Sequence, residues 1–305
     1  MNAQLKKQWE RARRIFYRLR SSEPVWKLIN YDPRMRFKKN QPTLSPLLGQ
    51  VLRGLQQNGI ATVRVTDLVG ENLWLEMQKA FSIRLGDPKI QDEIKNRRSA
   101  PEHRGDKYYN VVLWDMPVAE KNNPLIAFST HPSILAIVNS YMELFAKFRS
   151  LKLWASMPVP PDAPEHASQQ WHRDPEDRKI VKVFLYFNDV DTETGPFTYL
   201  KKSQLGGKWR GLFPQIPPLG SYAPKGGVEK AVDPADISIG TGKAGTVIFC
   251  DTSGLHKGGY CKSKTRHIYI STYASQASLE PLGIKFLPSS TYESLLPSQR
   301  YALSE

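Results

Sequence analysis

Apolar residues in the first half of the chain recur at intervals of three and four positions, the spacing at which side chains share one face of an α-helix. This pattern predicts amphipathic helices over residues 3–20, 45–58, 67–82 and 131–148. Residues 86–107 are polar and lack this spacing, so we expect a loop region there.

After residue 150 the apolar period changes from that of a helix to that of a β-strand, in which alternate side chains share a face. Strands are predicted there at 151–157, 179–187, 195–200, 246–250 and 267–273, and one short strand is predicted earlier, at 60–65. Helices that precede strands in this way are typical of an α+β fold, in which helices cover one face of a sheet sandwich or barrel.

Composition divides the chain into three segments. Residues 1–40 form a basic N-terminal arm, residues 41–283 form one large domain, and residues 284–305 form a C-terminal tail. Within the domain, residues 205–243 hold many Gly and Pro residues and only short apolar runs. So long a loop in a compact domain is usually functional, and we expect it to act as a lid or substrate-binding loop.

The net charge of +14 is concentrated in the arm. Residues 1–40 hold 12 Lys/Arg and 3 Asp/Glu, a balance of +9, which leaves +5 for the other 265 residues. No specific nucleic-acid partner is therefore expected. The apolar stripe of the first helix, with Leu5, Trp9, Phe16 and Leu19, is expected to pack on the domain. The alternative is a weak contact with a membrane surface or another anionic partner.

Only two cysteines occur, Cys250 and Cys261, and two thiols make no disulfide framework. We expect a cytoplasmic protein. Cysteine-ligated zinc and iron–sulfur sites are also excluded, so any bound metal must be held by imidazole and carboxylate groups. The sequence has no run of 18 or more apolar residues, so no transmembrane helix is expected.

The sequence Trp171-His172-Arg173-Asp174 precedes a predicted strand. In extended chain, residues i and i+2 point to the same side, so His172 and Asp174 can bind one metal while Arg173 faces away. The tripeptide alone is weak evidence for a metal site, because it can arise by composition.

A second histidine, His256, follows the predicted strand 246–250 and precedes a turn that leads to Arg266. A β-hairpin here would place these two side chains on neighbouring strands. A buried arginine is costly unless it is paired, and this hairpin offers no obvious acidic partner. A ligand that carries an anionic group is therefore expected beside Arg266.

These stretches resemble the phytanoyl-CoA dioxygenase family of Fe(II)/2-oxoglutarate-dependent enzymes, over roughly residues 45–275. The matching segments are WHRD, VFLYFNDVDTETGPFTYLKKSQL, AGTVIFCDTSGLHKGGY and the arginine of KTRHIYISTY. The resemblance implies a double-stranded β-helix (jelly-roll or cupin-like) core flanked by the N-terminal helices. It also implies that His172, Asp174 and His256 bind Fe(II) and that Arg266 binds the remote carboxylate of 2-oxoglutarate.

The resemblance further places Lys182 and Phe184 beside 2-oxoglutarate. Alternation along the strand puts these two residues and Tyr186 on one face and Val181, Val183 and Leu185 on the other. The alternative for Lys182 is a solvated position on the outside of the sheet.

The function implied is an oxygenase that uses Fe(II), 2-oxoglutarate and O2 to hydroxylate an unactivated C–H bond of a small-molecule substrate, with release of succinate and CO2. Two other functions fit the same residues. One is a metal-dependent hydrolase with a His/Asp/His site, which leaves Arg266 without a task. The other is a non-catalytic binding protein on this fold.

Overall fold

Helices from the first half of the chain cover one of two facing antiparallel sheets. The computed structural model describes residues 3–99, 109–114, 118–119, 123–216, 221–279, 283, 285–286 and 294–304. Its helices are α1 (Ala3–Arg20), α2 (Glu23–Ile29), α3 (Tyr31–Lys39), α4 (Pro46–Asn58), α5 (Val65–Leu85), α6 (Pro88–Ser99), α7 (Pro124–Ser129), α8 (Pro132–Met142), α9 (Gly227–Ala231) and α10 (Pro297–Leu303).

The strands form two main sheets. They are β1 (Ile60–Arg64), β2 (Asn110–Trp114), β3 (Val118–Ala119), β4 (Lys147–Ser156), β5 (His172–Arg173), β6 (Ile180–Tyr186), β7 (Phe197–Leu200), β8 (Ser221–Tyr222), β9 (Ile237–Gly240), β10 (Thr246–Asp251), β11 (His256–Lys257), β12 (Arg266–Ala274) and β13 (Lys285–Phe286). The major sheet has the order β1-β10-β6-β12-β4-β2 and the minor sheet the order β8-β5-β11-β7-β9, while β13 pairs with β3. Successive strands from β4 to β7 and from β10 to β12 alternate between the two main sheets, as in a double-stranded β-helix.

Strand β6 shows why the core divides into two layers. Val181, Val183 and Leu185 pack outward into the large apolar cluster shared with the helices, whereas Phe184 and Tyr186 point inward, between the sheets. The predicted alternation is confirmed. It follows from the period of two along a strand, which sends successive side chains to opposite faces.

Both ends of the chain contribute buried side chains. Trp26 in α2 and Phe37 in α3 are buried within the predicted arm. At the other end, Tyr301 and Leu303 of α10 are buried as well, and Tyr301 lies in one apolar cluster with Phe37 and Phe145. The expectation that the stripe of α1 packs on the domain is wrong, because its apolar side chains are exposed.

Two predicted elements need correction. Residues 88–99 of the expected loop form helix α6, in which Ile90 and Ile94 are buried one turn apart although the rest of the helix is polar. The helix predicted over 131–148 ends at Met142, because Glu143 takes a left-handed conformation (φ 58°) and the chain then enters β4.

The Gly- and Pro-rich stretch 205–243 also contains regular structure, namely β8, α9 and β9. Strands β8 and β9 form the two edges of the minor sheet. Within the described part of the chain, no helix combines the length and apolar content needed to cross a membrane.

Candidate metal centre

His172 and His256 are direct neighbours across two paired strands of the minor sheet. They face each other in the register of β5 and β11, and their ring centroids lie 4.1 Å apart. Residues paired in an antiparallel ladder project their side chains to the same face, which brings the two imidazoles together. The sheet register therefore brings together residues that are 84 positions apart in sequence.

Main-chain carbonyls fix the orientation of both rings. Nδ1 of His172 lies 2.8 Å from the Gln170 carbonyl oxygen, and Nδ1 of His256 lies 3.0 Å from that of Gly254. A carbonyl oxygen only accepts, so each Nδ1 donates its proton, and in the neutral ring each Nε2 carries the lone pair. Burial, followed by the nearby His172, lowers the pKa of His256 to about 3, so this ring is neutral at pH 7.

Asp174 faces both rings. Its Oδ1 lies 3.8 Å from Nε2 of His172 and its Oδ2 lies 3.9 Å from Nε2 of His256. The carboxylate also forms an ion pair with Lys182, whose Nζ lies 2.6 Å from Oδ2. Burial raises the pKa of Asp174, but Lys182, His256 and His172 together outweigh burial and hold the pKa well below its usual range.

The arrangement fits a metal ion. The three ligand atoms lie within 4.8 Å of one another, with Asp174 and His256 buried and His172 half-buried. Two imidazoles with inward Nε2 atoms and one ionised carboxylate form the donor set of non-heme Fe(II) sites, which leave the opposite coordination positions open. The carbonyl partners at Nδ1 provide the outer hydrogen bonds that such histidines require.

Asp251 shapes the turn that leads to His256. It is fully buried, and its carboxylate accepts hydrogen bonds from the Tyr141 hydroxyl at 2.6 Å and from the Ser253 amide at 3.0 Å. The Tyr199 hydroxyl donates to its main-chain carbonyl oxygen at 2.9 Å. Asp251 thus stabilises the turn and points away from the metal position.

Arg173, between two of the proposed ligands, projects to the other side of the strand as expected, and it is buried there. All five of its N–H groups donate hydrogen bonds of 2.6–3.0 Å to main-chain carbonyls. The acceptors are Ser203, Trp209, Leu212, Phe213 and Ser253. The side chain therefore links the ligand strand to residues 203–213 and to the turn before His256, a role that the sequence did not suggest.

Arg266 lies in the opposite sheet, so the expected hairpin with His256 on a neighbouring strand is wrong. The chain crosses from β11 in the minor sheet to β12 in the major sheet, and both side chains project into the space between the sheets. Arg266 is 8% exposed, and its Nη2 lies 3.4 Å from the Ser156 hydroxyl, which donates to Asn110 Oδ1. These three residues are register partners across β12, β4 and β2.

Among the described residues, no carboxylate lies within ion-pair distance of the Arg266 guanidinium, and its Nε is buried without a hydrogen-bond acceptor. A buried cation in this state is costly, so an anionic ligand would stabilise it.

One cavity between the sheets joins these groups. It is lined by Arg266, Lys182, Phe184 and the two metal-site histidines. Lys182 therefore lies in the interior, and the alternative of a solvated outer position is wrong. The phenyl ring of Phe184 packs against Phe197 from the minor sheet, with ring centroids 4.5 Å apart, which gives the cavity an apolar wall.

Comparison with known proteins agrees with this architecture. No protein-family model matches the chain, and no curated protein matches it. Among solved structures, EctD from S. alaskensis with 2-oxoglutarate and 5-hydroxyectoine is 14% identical, with a TM-score of 0.51 over 80% of this chain and 88% of that one. The non-heme alpha ketoglutarate dependent epimerase SnoN from nogalamycin biosynthesis is 14% identical, with a TM-score of 0.50 over 75% and 83%.

The chain shares the fold of these enzymes. This confirms the predicted α+β class with a double-stranded β-helix core and flanking helices. At 14% identity the likeness shows the fold alone, so function must be argued from the site.

Proposed function

We propose that the protein is an Fe(II)- and 2-oxoglutarate-dependent oxygenase of the phytanoyl-CoA dioxygenase type, which hydroxylates an unactivated C–H bond of a small molecule. The observation that carries the proposal is one cavity lined by His172 and His256, which form a ligand set with Asp174, and by a buried arginine on the facing sheet that has no carboxylate partner among the described residues. The ligand set fits the metal, and the arginine fits the co-substrate.

His172, Asp174 and His256 would hold Fe(II) through two Nε2 atoms and one carboxylate oxygen. The carbonyls of Gln170 and Gly254 keep the lone pairs directed at the metal position. When bound, iron with 2-oxoglutarate and O2 supplies the oxidising power, with succinate and CO2 as co-products.

Arg266 would bind the remote carboxylate of 2-oxoglutarate. A guanidinium can donate two parallel hydrogen bonds to a carboxylate, which fixes its orientation as well as its position. Ser156 and Asn110 support this side chain from the neighbouring strands. The co-substrate would thus span the space between the two sheets, with its keto-acid end towards the histidines.

Lys182 and Phe184 complete the proposed co-substrate site, because both line the same cavity. Phe184 and Phe197 provide apolar surface that excludes water from the reacting atoms. Lys182 has a second task in this scheme, since its ion pair orients the carboxylate of Asp174.

The two other functions are less well supported. A hydrolase with the same ligand set needs a metal-activated water but gives Arg266 no anion to bind. A binding protein without turnover would have no use for three buried ligand groups in one geometry. The buried, unbridged cysteines Cys250 and Cys261 suit a reducing cytoplasm, which we propose as the location.

Succinate release tests the proposal. The purified protein is incubated with Fe(II), 2-oxoglutarate and O2, with and without pools of small metabolites, and succinate is measured against an Asp174→Ala control. We expect succinate formation that requires all three components and rises with a substrate-containing pool. Hydrolytic activity that requires Zn(II), with no succinate under any condition, would favour the hydrolase.

A further inference from the structure

Helix α1 presents an exposed apolar stripe. Leu5, Trp9, Ile15, Phe16 and Leu19 each expose 53–62% of their surface. Leu5, Trp9, Phe16 and Leu19 are spaced by four, seven and three residues, so they share one face of the helix. Contiguous apolar surface of this kind marks a site of interaction in most folded proteins.

The exposed apolar surface is concentrated at this end of the protein. Among the described residues, seven of the fifteen large apolar side chains classed as exposed lie within residues 5–31. Leu28 in α2 and Tyr31 in α3 continue the series, with 75% and 63% exposure. The pattern therefore belongs to the N-terminal region and is not a general property of the surface.

The same helix is strongly cationic. Residues 3–20 contain seven Lys/Arg residues and one acidic residue. Lys6, Lys7, Arg11, Arg14 and Arg18 are exposed beside the stripe or on the opposite face. A helix with Trp and Phe on one side and Lys and Arg on the other matches segments that lie in the headgroup region of a membrane.

The attachment of α1 leaves this stripe exposed to solvent. The helix is held at its C-terminal end, where Arg20 Nε donates to the Ala277 carbonyl at 2.9 Å and Arg178 Nη1 donates to the Ser21 carbonyl at 3.0 Å. Tyr17 and Arg20 are half-buried, while the described side chains before Tyr17 are exposed. An anchored helix with one exposed apolar face is suited to a flat surface.

We propose that α1 docks the protein on a membrane surface rich in anionic lipids. The apolar stripe would enter the interface, and the cations would contact lipid phosphates and carboxylates. A second copy of the chain is a poorer occupant of the stripe, because pairing two such helices brings two sets of like charges together. An acidic protein groove is the remaining alternative, and the experiment below separates it.

Vesicle cosedimentation tests the proposal with the full chain. We expect binding to vesicles of phosphatidylcholine with phosphatidylserine, and at least about tenfold weaker binding to phosphatidylcholine alone. Raising salt from about 0.1 M to about 1 M should weaken binding, because the charges become screened. Trp9 fluorescence should shift to shorter wavelength on binding, and the shift should be absent in Trp9→Phe, which still sediments.

Matched variants separate the contribution of the apolar stripe from that of the positive charges. Trp9→Asp with Phe16→Asp should abolish binding, and Arg11→Gln with Arg18→Gln should reduce it by roughly fivefold for each charge removed. Leu75→Asp is the control, because Leu75 in α5 is 53% exposed and the change is the same kind. It should bind as the unchanged chain does.

Four results would overturn the proposal. The first two are equal binding of the unchanged chain to both kinds of vesicle and unchanged binding of the Trp9→Asp/Phe16→Asp variant. The others are a dimer in solution that this variant dissociates, and a chain that binds only an acidic protein and no vesicle. Succinate formation without vesicles should be the same in all these variants, so failure here leaves the proposed enzymatic function intact.

Discussion

Lys182 places its Nζ 2.6 Å from Oδ2 of Asp174, so the carboxylate that faces two histidines already has a cationic partner from the major sheet. The pair has two consequences of opposite sign. The ammonium keeps Asp174 ionised and ready to bind a metal, yet its positive charge also repels a divalent cation at the same place.

Lys182→Met should therefore raise the affinity of the protein for Fe(II) in the absence of co-substrate, by about tenfold or more. A unit charge and a divalent cation within about 5 Å interact by several kcal/mol at an effective dielectric constant near 20. The variant should also bind the dianion 2-oxoglutarate more weakly. Both affinities can be measured by anaerobic titration.

Lys152→Met is the matched control, because Lys152 lines the same cavity but lies on β4, two strands from β6. It should change Fe(II) affinity much less. Weaker Fe(II) binding by Lys182→Met would show that the ion pair supports the metal site more than it opposes it.

Each of His172→Ala, Asp174→Ala and His256→Ala should lower the iron content of the reconstituted protein, because each removes one of three ligands. Iron content per chain, measured after removal of unbound metal, checks this directly. Arg266→Ala is the comparison and should retain iron. A ligand variant with the iron content of the unchanged protein would exclude that residue from the site.

Arg266→Ala should weaken 2-oxoglutarate binding by roughly 2–5 kcal/mol, the cost of removing one partner of a buried charge pair. The weak visible charge-transfer band of the anaerobic iron chelate reports this binding. At limiting co-substrate the band should be lost, and at high concentration it should return. Arg266→Lys should be intermediate, since an ammonium keeps the charge and loses the paired donors. A normal band at limiting co-substrate in the alanine variant contradicts the assignment.

Arg173→Met should destabilise the metal-free protein by at least about 3 kcal/mol, because several buried carbonyls lose hydrogen bonds to a charged donor. Urea unfolding provides the measurement. The control is Arg210→Met. Arg210 is exposed and lies in the segment 203–213 that Arg173 contacts, and we expect the free energy of unfolding to change by no more than about 0.5 kcal/mol. Equal stabilities of the two variants would mean that the five contacts contribute little.

The buried His256 ring predicts a pH dependence of stability in the metal-free protein. Its pKa is about 3 in the folded state, against about 6.5 in the unfolded chain, so the unfolded chain takes up the proton first as pH falls. Stability from this group is complete above pH 6.5 and is lost between pH 6.5 and 3, with about 2 kcal/mol lost by pH 5.

His256→Gln removes this titrating ring, so the difference in unfolding free energy between the two proteins should narrow or reverse as pH falls from 7 to 5. Parallel curves over that range would show that burial does not suppress protonation of His256.

Local pattern was enough to predict the layers of the core, whereas the residues proposed for the site came from a family resemblance. The period of two in β6 separated Phe184 and Tyr186 from Val181 and Val183, and the structure keeps that division. Helix α6 was missed because its apolar content is reduced to Ile90 and Ile94, too little to produce a clear periodicity.

Contacts between segments that are distant in the sequence could not be predicted from it. Which sheet a strand joins depends on the path of the chain, so the crossing between His256 and Arg266 was taken for a hairpin. The carbonyls that receive the Arg173 donors carry no signal in the sequence, because every residue has one. The same holds for the pairing of Lys182 with Asp174, which requires two separate strands to meet.

The proposed metal ligands and the proposed co-substrate anchor lie in different sheets, so the distance between the sheets sets the length of a ligand that can reach both. The histidines belong to the minor sheet and Arg266 to the major sheet, and the cavity between them selects by length any molecule that must reach both. If 2-oxoglutarate spans the two sheets as proposed, keto diacids one methylene shorter or longer should bind more weakly, because the packed sheets resist the movement needed to fit them. Selectivity among such acids would thus be a property of the core, held by the same packing that keeps the protein folded.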